Sequence, residues 1–95
     1  MTRYVFSPEA ERDLMEIWLY TADTWGVDQA DRYVLGIKDD LAKTGPNSPL
    51  VRPIDDLWRL KTGHHLCIFK REDDASIFVV RVLHERMDVA RQLLG

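Results

Sequence analysis

The chain has 95 residues, 45% of them hydrophobic and 31% charged, which suits one folded domain with a single modest core and is too apolar for a disordered chain. Its net charge of −3 argues against a protein that binds by neutralising phosphates, and no apolar run is long enough to span a membrane. The lone Cys67 rules out an internal disulfide and fits a reducing cytoplasm; it lies in an apolar strand, so it reads as a packed thiol rather than a nucleophile. The first residues, Met1 to Glu9, hold one basic residue and little apolar sequence, unlike a secretory signal. Charge is uneven: residues 1–45 carry 5 Lys and Arg against 9 Asp and Glu, and residues 46–95 carry 8 against 7.

Arg3 to Phe6 reads as a short strand. Ser7-Pro8-Glu9 opens a helix: Ser7 can cap it, Pro8 suits its first position, and Glu9 and Glu11 oppose the positive end of its dipole. The helix runs to about Trp25 and stops at Gly26. Ala10, Leu14, Ile17, Trp18, Thr21 and Trp25 mark its buried face; Arg12, Asp13, Glu16 and Asp23 mark the wet side. Met15, Leu19 and Ala22 widen the apolar face, either toward a second helix or toward a partner. A second helix is expected from Asp28, acting as cap, to Gly45-Pro46, with Ala30, Tyr33, Val34, Ile37 and Leu41 facing inward. The two-residue link makes the pair an antiparallel hairpin. Gly36 costs about 1 kcal/mol inside the helix, which close approach to the first helix or to another chain could offset.

Residues 46–56, with three prolines, read as an extended loop. Leu57–Lys61, His64–Arg71 and Ile77–Leu83 then read as three strands joined by the turns Thr62-Gly63 and Glu72-Asp73-Asp74. The last is the longest β-branched and aromatic run and is expected to be central and buried on both faces. The tail, Val89–Leu94, can form one or two helical turns. The fold class is therefore α+β, in the order β-α-α-β-β-β over residues 1–95. A two-helix hairpin covers one face of a small, mainly antiparallel sheet and leaves the other face open.

The chemistry-bearing residues gather around the last strand and its end, Arg81 to Asp88. Adjacent His64 and His65 point to opposite faces of a strand, which excludes a shared metal, and the isolated glycines offer no phosphate loop. Acid–base chemistry on a phosphodiester would need Arg59, Lys61, His64 or His65, Arg81 and His84 on one face. Arg81 and His84 are three apart, so an ideal strand sends them to opposite faces unless it bends. The simpler role for Arg81 is an ion pair with Asp88 or Glu85, and for His84 a hydrogen bond at the strand end.

Several segments together resemble the ParE branch of the RelE/ParE toxin superfamily. They are Ser7-Pro8-Glu9-Ala10 with Asp13-Leu14 and Ile17-Trp18; Trp25-Gly26, Gln29-Ala30 and Tyr33; Gly63-His64-His65 with Ile68-Phe69; and the octet Arg81-Val82-Leu83-His84-Glu85-Arg86-Met87-Asp88. The resemblance implies a toxin of a type II toxin–antitoxin system that poisons DNA gyrase by protein–protein contact. No cofactor, metal, membrane association or nucleic-acid binding by this chain alone is expected. Its partners would be gyrase and a cognate ParD-like antitoxin, with which it would form a hetero-oligomer. The expected target-binding residues are Arg81, His84, Arg86, Asp88 and Arg91; the expected antitoxin-binding residues are Met15, Trp18, Leu19 and Ala22. The alternatives are a RelE-like ribosome-dependent endoribonuclease, using His84, Arg81, Arg59 and His65, or an inactive relative that only binds its antitoxin. RelE-like toxins are usually strongly basic and often place a tyrosine after the last strand, and this chain has neither feature.

Overall fold

The computed structural model describes residues 3–44, 48–73 and 76–94. Strand β1 (Arg3–Phe6) leads into helix α1 (Pro8–Trp25), and helix α2 (Val27–Lys43) follows. Strands β2 (Val51–Ile54), β3 (Leu57–Thr62), β4 (His65–Asp73) and β5 (Ser76–His84) come next, and helix α3 (Val89–Leu94) closes the chain. The sheet order is β1-β5-β4-β3-β2, with β1 parallel to β5 and the other pairs antiparallel. The expected α+β architecture is present. The Gly45-Pro46 helix stop and part of the turn before β5 lie outside the described residues.

Ser7 joins helix to sheet. Its hydroxyl oxygen accepts the Ala10 amide at 3.0 Å, and the same hydroxyl donates to the Val80 carbonyl at 2.6 Å. One side chain thus caps α1 and fixes where it leaves the sheet. At the far end only Gly26 separates the helices, with φ +98, where an L side chain would be strained. Gly26, not Asp28, occupies the cap position of α2, and Asp28 falls in the first turn.

Three further expectations change. Residues 51–54 form β2, although the prolines predicted loop. Proline is tolerated there because β2 is the outermost strand, and Asp55 at φ +51 closes a two-residue hairpin onto β3. Trp25 is 72% exposed, since the last turn of α1 runs past the sheet. An added Cβ at Gly36 would meet no atom within 4 Å, so close approach to α1 does not explain that glycine.

Two cores sandwich the sheet. Ala10, Leu14, Ile37 and Leu41 of the helices pack on Cys67, Phe69, Val79 and Val82. On the other face Leu66, Ile68 and Leu83 pack against Val89 and Leu93 of α3, with Ile54 and Leu57 beside them. The second face is thus partly covered by the C-terminal helix rather than left open. Cys67 is fully buried, and burial pushes its thiol up to about 12, so it stays protonated and inert.

The strand expected to be central, β5, is an interior strand, but β4 holds the middle position. Its register explains a pattern the sequence hides. Ile68 pairs with Arg81 and Phe69 with Val79, so Val80 is an inserted bulge residue. Val79 and Val82, three apart, therefore share the helix-side core, while Leu83 faces the other way.

Candidate functional site

Strand β1 ends at Phe6, opposite Val79 of β5. Beyond that point the outer edge of β5 has lost its strand partner, and its backbone groups need others. α1 supplies them. The Ser7 hydroxyl takes the Val80 carbonyl, and the Asp13 carboxylate accepts the Val82 amide at 3.0 Å. Asp13 also accepts from Arg81 through Nε at 2.7 Å and the outer nitrogen Nη2 at 3.0 Å, a bidentate pair. Their side chains are 12% and 25% exposed respectively. The Asp13 bonds, ahead of the opposing cost of burial, raise the guanidinium pKa above its usual value. So Asp13 is not on the wet side of α1, and Arg81 pairs with neither Asp88 nor Glu85. An acid bordering the buried stripe of α1 was the available signal, but the 68-residue separation hid the pairing.

The pair lies on the wall of a cavity of about 810 Å³ between the helix hairpin and the ends of β4 and β5, with Gln92 of α3 also lining it. Tyr20, Trp25 and Met87 border it and are largely exposed; Tyr33, His65 and His84 also line it. Tyr33 crosses from α2 to the β3–β4 turn. Its hydroxyl oxygen accepts the His64 amide at 2.9 Å and lies 2.6 Å from His65 Nδ1. The rings of His65 and His84 stand edge to face, 5.2 Å between centroids. At the outer lip Glu85 accepts from His64 Nδ1 at 3.1 Å and sits 3.7 Å from Lys61.

Of the expected target-binding residues, Arg81 and His84 line the cavity, while Arg86 and Arg91 are exposed beyond it. Asp88 caps α3, accepting the Arg91 amide through its carboxylate at 3.2 Å. Of the expected nuclease set, His65, His84 and Arg81 line this cavity. Arg59 does not: it pairs in register with Ile68 and, by strand alternation, shares the α3 side of the sheet. Lys61, two residues on, has the same side. Among the described residues no cluster could hold a metal ion, and no helix is long and apolar enough to cross a membrane. The expected antitoxin-binding residues sit on the outside of α1. Met15 and Leu19 are exposed, Ala22 is half-buried, and Trp18 is half-buried with its indole N–H on Asp31 of α2 at 2.8 Å.

Burial pushes the His65 pKa down to about 4, and the neighbouring His84 and His64 push the same way. Between pH 6.5 and 4 the unfolded chain binds a proton that the folded chain refuses. Stability should therefore fall on acidification through that window and be independent of His65 above it. The loss should be about 2 kcal/mol, below the full shift because the ring is only partly buried. Urea midpoints across this range test it: His65→Gln, which still accepts from Tyr33, should flatten the slope, and an unchanged slope would assign it elsewhere. The Glu85 pKa, lowered chiefly by His64, concerns a lower and separate window.

The family described as "ParE toxin of type II toxin-antitoxin system, parDE" has a sequence profile that matches residues 4–89. Toxin ParE1 of Mycobacterium tuberculosis is 38% identical over 96 residues, covering 97% of this chain and 98% of that protein. Toxin ParE of Escherichia coli is 32% identical, covering 98% and 94%. A solved structure, "Chromosomal ParDE TA system from P. aeruginosa", overlays with a TM-score of 0.66 over 88% of this chain and 96% of that one; at 16% identity it speaks to fold alone. With the profile spanning nearly the whole chain and full-length relatives above 30% identity, the chain belongs to the ParE toxins of type II toxin–antitoxin systems.

Proposed function

We propose that this toxin acts in the cytoplasm on DNA gyrase, by protein–protein contact rather than by cutting a substrate, and that a ParD-like antitoxin neutralises it. The observation that carries the reading is the state of Arg81. It lines the same cavity as His65 and His84, and Asp13 engages it on two nitrogens. A guanidinium so paired is poorly placed to stabilise new charge on a phosphorane. Arg59 lies across the sheet, and His65 is held neutral by burial. The net charge of −3 further disfavours the phosphate contacts that RNA on a ribosome demands. The contact surface for gyrase is the cavity edge with Arg81 and His84, continuing over Arg86, Asp88 and Arg91.

Induction without antitoxin separates this from the endoribonuclease reading. Replication should stop while primer extension on translated messages shows no codon-phased cuts. Codon-phased cuts that vanish in His84→Ala would overturn the proposal, and unimpaired growth would point to an inactive relative.

The antitoxin is assigned to the outer stripe of α1. Met15, Leu19 and Ala22 recur at i, i+4 and i+7, away from both cores, beside Trp18. Leu35, one turn past the Asp31 that Trp18 binds, is also exposed. Leu19→Asp should leave the fold unchanged and weaken antitoxin binding about a hundredfold or more, as expected for a charge placed in a buried apolar contact. Titration calorimetry measures this, and unchanged affinity would place the antitoxin on another face.

A further inference from the structure

Of the three histidines lining the cavity, His65 and His84 are each fixed in one tautomer by their Nδ1 contacts. The Arg86 amide can only donate, and it donates to His84 Nδ1 at 3.1 Å. That nitrogen is unprotonated, so the neutral ring carries its proton on Nε2. Tyr33 already accepts the His64 amide, which leaves its one proton to donate to His65 Nδ1, 2.6 Å away. The reverse arrangement would leave a half-buried phenol proton without a partner. His65 therefore also carries its proton on Nε2. Among the described residues neither Nε2 has a hydrogen-bond partner, and both rings line the same cavity.

Two N–H donors on one cavity, with an apolar border of Tyr20, Trp25 and Met87, define the ligand it suits. We propose that the cavity is a carboxylate subsite, taking an Asp or Glu side chain of a partner's peptide, with an apolar neighbour of that residue on the aromatic border. A carboxylate offers two oxygens to two donors, and such charge-assisted bonds are about twice as strong as neutral ones. The volume of about 810 Å³ suits a few side chains. Glu16 is on the same wall and repels a phosphate, with more charge, more strongly than a carboxylate.

The ionisable groups facing the histidines are Asp13 and Glu16 from α1, Tyr33 from α2, Cys67 within β4, Arg81 from β5, and His64 with Glu85 at the strand ends. Asp13 and Arg81 neutralise each other, and Glu85 is engaged by His64. The bound carboxylate is therefore held by the two neutral Nε2–H donors rather than by a free cation. This goes beyond the gyrase reading and does not depend on which protein supplies the peptide.

The test uses the intact chain and two peptides, acetyl-Trp-Asp-Leu-amide and its Asn counterpart. Long-range nitrogen–proton spectra of the free protein should show the Nε2–H tautomer at both His65 and His84. The Asp peptide should shift both imidazole signals and bind about tenfold tighter than the Asn peptide, which corresponds to about 1.4 kcal/mol. His84→Phe, which keeps the ring contact, should bring that ratio near one. An Nδ1–H tautomer in either ring, equal affinities for the two peptides, or no saturable binding would each overturn the proposal.

Discussion

Asp13→Ala should destabilise the fold by about 3 kcal/mol, which for a domain of this size lowers Tm by about 15 °C. The carboxylate answers three donors: Arg81 Nε, Arg81 Nη2 and the Val82 amide. Its loss leaves a guanidinium 25% exposed without its partner and an edge amide of β5 unpaired. Asp13→Asn keeps an acceptor for the amide but not the charge, and should cost roughly half as much. Arg81→Met removes the cation while Asp13 keeps the Val82 amide, so it should also cost less than Asp13→Ala. In the double variant Asp13→Ala, Arg81→Met the losses should be well short of additive, with about 1 kcal/mol or more of coupling. Urea denaturation of the four proteins measures it. A loss below about 1 kcal/mol for Asp13→Ala would mean the pair behaves as a surface salt bridge.

Gly63→Ala should cost about 3 kcal/mol through two separate terms. Gly63 sits at φ +61, where a Cβ costs about 1 kcal/mol or more. That Cβ would also fall 2.7 Å from the Tyr33 hydroxyl oxygen and 2.9 Å from its ring. Tyr33 cannot yield freely, because its hydroxyl holds the His64 amide and His65. The overpacking adds about 2 kcal/mol. Tyr33→Phe in the Gly63→Ala background should return part of that second term, since the nearest clashing atom is gone. Thermal melts would show it. A loss confined to about 1 kcal/mol would mean the turn shifts to make room and the Tyr33 bridge is soft.

Much of the fold was legible because local chemistry and global packing agree. Ser7-Pro8 marks the start of α1, the inward stripe of α2 is clean, and Gly63 marks the turn its φ requires. What the sequence hid is non-local. β2 was masked by prolines that only an edge strand tolerates. The parallel β1–β5 pairing joins segments some 73 residues apart, as in Arg3 with Ser76. Nothing near Val80 announces a bulge, yet that residue lets Val79 and Val82 share one core. The site divides the same way. Arg81 and His84 stood out as polar residues in and after an apolar run. Asp13 did not, since an acid beside a helix's buried stripe looks like any solvated acid until the strand it serves is in place. Tyr33 read as core, although its hydroxyl bridges α2 to the β3–β4 turn. Trp25 read as core too and proved to be rim, because helical period says which face is inward but not where the sheet beneath it ends.

We propose that the toxin acts on gyrase by contact alone. A reaction with purified gyrase, supercoiled plasmid and this protein, with no ribosome or RNA, tests it most directly. Loss of supercoiling activity and linear DNA trapped with gyrase on denaturation are expected, both abolished by prior addition of the cognate antitoxin. Full supercoiling activity with no trapped cleavage complex, at toxin in excess over gyrase, would contradict it.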